Sequence, residues 1–348
     1  MKSSAVVLHL SLGVLLGFAA AAPPEAQAEI RASSKRSLGS KVNGVKGGSC
    51  NKGRCRISGG QRAGKNLFHR FRDFDTRGAI RDVRFQTGKA KNLFVGVTSP
   101  LGSFIDKRIA LSSKANLFWL SPGGMVLGSG ADFVNTPQLR LSTAGKLNFD
   151  AGQFDVFSSS ADDLALLRGE PLPGALGLQA TPQLESDAGL LPGIHLNGIN
   201  ISIDDDLLID APGGQVAVEN STLSVSAEEG VGGTLMLTGE QIEIDGNSQF
   251  LATGPEGGGL IQVGGSWQNS DPSVRQSVKA TVESGAVLDA SATDIGNGGE
   301  IVVWSDITNP DAVTSVAGSL SVEAGIAGGD GGRIETSGAD LDIAGIDD

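Results

Sequence analysis

Gly213-Gly214-Gln215-Val216-Ala217-Val218, Gly232-Gly233-Thr234-Leu235-Met236-Leu237, Gly258-Gly259-Leu260-Ile261-Gln262-Val263, Gly298-Gly299-Glu300-Ile301-Val302-Val303 and Gly331-Gly332-Arg333-Ile334-Glu335 repeat one pattern, a glycine pair followed by an alternating apolar run. Secondary runs lie between them, such as Thr222-Leu223-Ser224-Val225, Gln241-Ile242-Glu243-Ile244 and Ser319-Leu320-Ser321-Val322. The second glycines are 19, 26, 40 and 33 residues apart. Such spacing fits coils of roughly 20 residues interrupted by loops, as in a parallel β-helix or solenoid. One coil cannot bury its own apolar stripe, whereas stacked coils pair their strands and build a continuous inner column of Val, Ile, Leu and Ala. Glycine pairs permit the corners. A β-sandwich would need hairpin turns in register, and Asn43-Gly44, Asn197-Gly198 and Asp245-Gly246 do not recur so.

Working outward, the texture from Gly64 onward is short β-forming runs between Gly, Asn, Asp and Ser turns. The best helical candidate is residues 162–167, short and followed by Pro171 and Pro173. Residues 29–55 are rich in Ser, Gly, Lys and Arg without an apolar period, which predicts a basic leader segment. Cys50 and Cys55 lie inside it, and an exported chain meets an oxidising compartment, so a small-loop disulfide is expected.

Export is read from the beginning. Lys2 precedes an apolar run over residues 5–22, which ends in Pro23-Pro24-Glu25-Ala26-Gln27-Ala28. Ala26-x-Ala28 is a small-residue cleavage pattern, so residues 1–28 are expected to be a signal peptide and Glu29 the mature start.

Net charge is −12, unevenly placed. Of 27 Lys and Arg, 21 lie at or before Lys114, and of 39 Asp and Glu, 33 follow Trp119. The basic third is not read as a nucleic-acid patch, because no binding motif accompanies it. The acidic remainder keeps a repetitive β surface soluble. Asp162-Asp163, Asp204-Asp205-Asp206 and Glu228-Glu229 are adjacent carboxylates, but neighbours in a strand point to opposite faces. No catalytic residue, metal ligand or cofactor motif emerges, and the chain is expected not to be an enzyme.

Three stretches resemble the secretion domain of the filamentous haemagglutinin family of two-partner-secreted proteins. The first is Gly64-Lys65-Asn66-Leu67-Phe68-His69-Arg70-Phe71-Arg72-Asp73-Phe74. The second is Ala115-Asn116-Leu117-Phe118-Trp119-Leu120-Ser121-Pro122-Gly123-Gly124-Met125-Val126-Leu127-Gly128, where family members usually carry Asn-Pro-Asn-Gly in place of Ser121-Pro122-Gly123-Gly124. The third is the glycine-repeat region around residues 299–306 and 328–338. The likeness runs from about Cys50 to Gly345, and the second block is its most specific part.

The resemblance implies a single-stranded right-handed parallel β-helix, a pectin-lyase-like solenoid with an N-terminal cap and extra-helical hairpins. It implies a two-partner secretion domain over residues 56–200, with further coils over 201–348 that belong to a truncated member. It also implies a secreted or surface-displayed adhesin-type monomer, passing through the periplasm to an outer-membrane transporter with POTRA domains. That transporter would recognise Asn66, Leu67, Phe68, Phe71, Phe74, Asn116, Leu117, Phe118, Ser121, Pro122, Gly123 and Gly124. A host-cell or glycan receptor is left unidentified. The rival expectation is a β-helix polysaccharide-active enzyme or carbohydrate-binding module, marked by carboxylates and aromatics gathered in one groove.

Overall fold

The computed structural model describes residues 28–34, 38–176 and 191–344. The expected signal peptide, with Ala26, lies outside the described residues except for Ala28. The described chain is all-β apart from a short helix, Ala161–Ala165, and one 3-10 turn, Trp267–Asn269. The helix starts one residue earlier than expected because Ser160 caps it: its hydroxyl accepts from the Asp163 amide while the Asp163 carboxylate reaches back.

Parallel pairing organises the molecule. A first row runs through Asn66–Asp75, Asn92–Val97, Asn116–Leu120, Gln138–Ser142, the first part of Asp206–Glu219, the first part of Thr234–Ile244, Leu260–Val263, Glu300–Trp304 and Arg333–Ser337. Its register stacks Leu67, Leu93, Leu117, Leu139, Leu207, Leu235, Ile261 and Ile301 in one column, and all are buried. A second row holds Ser103–Ile105, Met125–Leu127, Leu191–Asn197, the later parts of the two long strands, Lys279–Val282, Val313–Val316 and Asp340–Ile343. The third side is made of two separate sheets. One is six-stranded and lies early in the chain; the other is five-stranded, from Asn200–Ser202 to Ser319–Ser321. Since alternate strand residues face opposite ways, every side sends Leu, Ile and Val into one shared core.

The expected right-handed, single-stranded, pectin-lyase-like solenoid is corrected. All-β character and parallel stacking stand, but the two rows are not independent faces. They belong to one 18-stranded sheet that curls round the core, with further strands outside it. The cause is visible in Asp206–Glu219, which pairs with Gln138–Ser142 through its first half and with Leu191–Asn197 through its second. Gly213, at φ 67, turns the chain at the corner while the flanking backbone stays paired. Antiparallel strands Ile30–Ala32, Ser49–Cys50 and Gln61–Ala63 join the same sheet.

That corner also corrects the repeat. Gly213-Gly214 precedes a second-row segment, whereas the other four glycine pairs precede first-row strands. The 19-residue interval therefore joins two different sides. Paired first-row positions early in the chain are 26 and 24 residues apart, longer than the expected 20. Residues 29–55, expected as a leader without an apolar period, contribute Ile30, Ala32, Val42, Cys50 and Cys55 to the core. Cys50 and Cys55 are joined by a disulfide.

Candidate recognition site

Asn-Leu-Phe occurs three times in the first row: Asn66-Leu67-Phe68, Asn92-Leu93-Phe94 and Asn116-Leu117-Phe118, all in register. Each residue of the tripeptide has a separate task set by strand alternation. The leucines enter the central core. The phenylalanines point outward and stack, Phe68 on Phe94 at 4.7 Å and Phe94 on Phe118 at 4.7 Å between ring centroids. They form a second apolar cluster with Leu147, Phe149, Phe154, Leu164 and Leu167. Its cover is a three-stranded antiparallel sheet (Lys146–Phe149, Gly152–Asp155, Pro171–Leu176) together with the short helix.

The asparagines form a ladder. Asn116 Nδ2 donates to Asn92 Oδ1 (3.1 Å), and Asn92 Nδ2 donates to Asn66 Oδ1 (3.0 Å). Asn66 Nδ2 then donates to the carbonyls of Leu167 (2.9 Å) and Gly169 (2.7 Å), and Asn92 Nδ2 also reaches Glu170 Oε2 (2.5 Å). A buried amide must be satisfied on both its donor and acceptor sides. Stacking asparagines does this while tying the covering segment to the row. Arg70 adds to the clasp, since its Nη2 donates to the carbonyls of Asp155 (3.0 Å) and Ser159 (2.9 Å).

Phe71 and Phe74 of the first block turn inward. Phe71 meets Phe74 edge-on at 5.1 Å, and Phe74 meets Trp119 at 4.5 Å, all within the central core. Ser121-Pro122-Gly123-Gly124 is the turn between the first and second rows. The Gly124 amide donates to the Ser121 carbonyl (2.9 Å), and Ser121 Oγ donates to the Gly124 carbonyl (2.8 Å). The residue taking positive φ is Gly124, at 98°. Beneath it lies a second copy of the motif, Ser99-Pro100-Leu101-Gly102, closed by the Gly102 amide on the Ser99 carbonyl (3.0 Å). The Ser103 amide donates to the Gly124 carbonyl (3.0 Å), which joins the two turns.

The structure thus brings Asn66, Phe68, Asn116 and Phe118 together and sends Leu67, Phe71, Phe74 and Leu117 to the other side of the sheet. The site residues missed in the sequence reading are Asn92, Leu93 and Phe94, with Ser99, Pro100 and Gly102. Recurrence of Asn-Leu-Phe and of Ser-Pro-x-Gly was the available signal.

The TPS secretion domain family matches residues 37–286, which include every copy of both motifs. The chain belongs to the TPS secretion domain family. Among solved structures it is similar to the secretion domain of HMW1 from Haemophilus influenzae, with 16% identity, 92% of this chain and 96% of that chain covered, and a TM-score of 0.38. No curated protein matches it. Membership implies a secreted chain with a partner transporter in the outer membrane of a Gram-negative cell.

Two further features of this TPS domain concern its titratable residues. His69 is fully buried, with Nδ1 3.0 Å from Ser40 Oγ. Desolvation lowers its pKa to about 3, so it is neutral at ordinary pH. The adjacent acidic residues do not gather into one site. Asp163 caps the helix, Asp204 pairs with Lys114 (2.8 Å), and Asp206 accepts from Gln138 (3.0 Å).

Proposed function

We propose that this TPS protein is a secreted or surface-displayed adhesin-type structural protein, and that its transporter reads the Asn-Leu-Phe and Ser-Pro-x-Gly blocks in the unfolded chain. One observation carries the reading. In the folded chain Asn66, Leu67, Phe68, Phe71, Phe74, Leu117, Phe118 and Ser121 are all at or below 3% exposed. A partner that recognises these side chains must meet them before they are buried. Strand addition suits that encounter, because an unfolded segment offers unpaired backbone to the edge of a receiving sheet, such as a periplasmic POTRA domain. Signal cleavage before Glu29 delivers the chain to the periplasm. Burial of the same residues on emergence removes the partner's target, which favours movement outward.

The test is secretion of the full chain from a Gram-negative host with and without its transporter. Release into the medium should require the transporter and should fall when Asn66 and Asn116 are both changed to Ala. Because those changes also weaken the folded state, binding of the urea-unfolded chain to isolated POTRA domains is measured alongside. Unimpaired binding and secretion by the double variant would overturn the assignment.

A further inference from the structure

The outer face of the six-stranded sheet carries a charge arrangement that stability alone does not favour. Its strands Gly53–Gly59, Ile80–Phe85 and Arg108–Leu111 send Cys55, Ile57, Val83, Phe85, Ile109 and Leu111 into the core. Alternation therefore sets Arg54, Arg56, Arg84 and Arg108 outward. A register shift beside Arg54 leaves Arg81 and Asp82 both on the outside. Asp82 is shared by three guanidinium groups, Arg54 at 2.6 Å, Arg81 at 3.1 Å and Arg84 at 3.7 Å. Partial burial works against its ionisation, but the hydrogen bonds from Arg54 and Arg81 prevail and hold its carboxyl below the ordinary range. One carboxylate cannot neutralise three cations. Arg56 and Arg84 moreover face each other across adjacent paired strands, and like charges in that position are destabilising. A shallow depression of about 370 Å³ lies among Arg54, Arg81, Arg84, Lys107 and Arg108, with Asp82 and Asp132 as its two carboxylates, the latter paired with Arg108 at 2.7 Å, so five cations face two anions.

We infer that this face docks on the phosphate groups of an anionic lipid surface, namely phosphorylated lipopolysaccharide of the outer leaflet. The cations stand on neighbouring strands about 4.8 Å apart, an array that suits closely spaced phosphates. Charge complementarity sets the orientation, since 33 of the 39 acidic residues follow Trp119 and are repelled from such a surface. The inference rests on the secreted reading for the identity of the lipid, but its test uses purified protein and does not depend on secretion.

Co-sedimentation of the mature chain is measured with phosphatidylcholine vesicles, with the same vesicles carrying lipopolysaccharide, and with vesicles carrying dephosphorylated lipopolysaccharide. Binding should require the phosphorylated lipid and weaken as salt rises. Each basic side chain near an anionic surface contributes roughly fivefold to binding, so R56Q/R84Q/R108Q should bind on the order of a hundredfold more weakly. These residues are solvent-facing, and unchanged circular dichroism checks that the variant folds. Lys279→Gln, on another face, should bind as wild type does. Equal binding by the triple variant, equal loss in K279Q, or binding that survives dephosphorylation would overturn the inference.

Discussion

Phe94→Ala removes the middle ring of the outer stack. Phe94 is fully buried, lies 4.7 Å from both Phe68 and Phe118, and meets the edge of Phe149 at 5.4 Å. Truncating a buried phenylalanine costs about 3–5 kcal/mol. The upper half applies here because two stacked neighbours lose their partner at once, each such pair contributing about 0.5–1.5 kcal/mol. The neighbouring strands are held by backbone pairing and cannot close in to fill the space. We expect a loss of about 4 kcal/mol, and about half of that for Phe94→Leu. Hydrogen exchange resolved by peptide is the suitable assay, because distant layers need not unfold together. Faster exchange should appear in 66–75, 92–97, 116–120 and 146–156, while 260–263 and 300–304 stay as in wild type. A loss below 1 kcal/mol, or an equal rise in exchange along the whole chain, would refute the assignment of the phenylalanine stack as the seat of the outer cover.

Asn92→Ala should destabilise the same region by about 2 kcal/mol, since it strands Asn66 Oδ1 and breaks the bond to Glu170; thermal unfolding together with exchange at 161–170 checks it. His69 has a folded pKa near 3 against 6.5 unfolded, so the unfolded chain binds the extra proton between those values. Its contribution is complete above pH 6.5 and is lost as pH falls toward 3, at up to about 1.4 kcal/mol per pH unit, and His69→Gln should flatten that slope in urea titrations. Asp210→Ala removes a buried carboxylate that accepts from Arg275 (2.9 Å), Ser142 (2.9 Å) and Thr238 (2.8 Å), and should cost about 3–5 kcal/mol by chemical denaturation. Replacing Cys50 and Cys55 with Ser should cost about 2 kcal/mol, seen as faster exchange in 30–63 and unchanged exchange beyond 260.

What could be read beforehand was whatever repeats locally. Alternating runs such as Gly258-Gly259-Leu260-Ile261-Gln262-Val263 disclose their inward face, because a two-residue period is a property of one strand. The side of the molecule that a strand occupies is not such a property. Gly213-Gly214 looks like its four counterparts, yet it sits at a corner inside one long strand, since register is decided by partners up to 68 residues away. The outer phenylalanine cluster was hidden for a related reason. Phe68 and Phe118 stand out in the sequence only as parts of the two recognition blocks, and nothing local says that residues 146–176 fold back over them. Residues 29–55 lack an apolar period because their strands are only two or three residues long up to Ser49–Cys50, too short for alternation to register, and longer only at Gly53–Gly59, which runs past this segment.

The first-row glycine pairs have a bearing on how such chains change length. A side chain on Gly259 would collide with the Gly233 carbonyl, one on Gly299 with the Gly259 carbonyl, and one on Gly332 with the Gly299 carbonyl. Gly233 meets the Asp205 carbonyl in the same way, so from this layer onward each glycine lies against the backbone of the layer before it. Within this glycine-bearing stretch a further layer stacked at the same spacing must carry its own glycine, whereas the equivalent positions of the earlier layers are Lys65, Lys91, Ala115, Pro137 and Asp205. Insertions of other sizes must leave as loops, which accounts for intervals as unequal as 26, 40 and 33 residues between glycines that stack directly on one another.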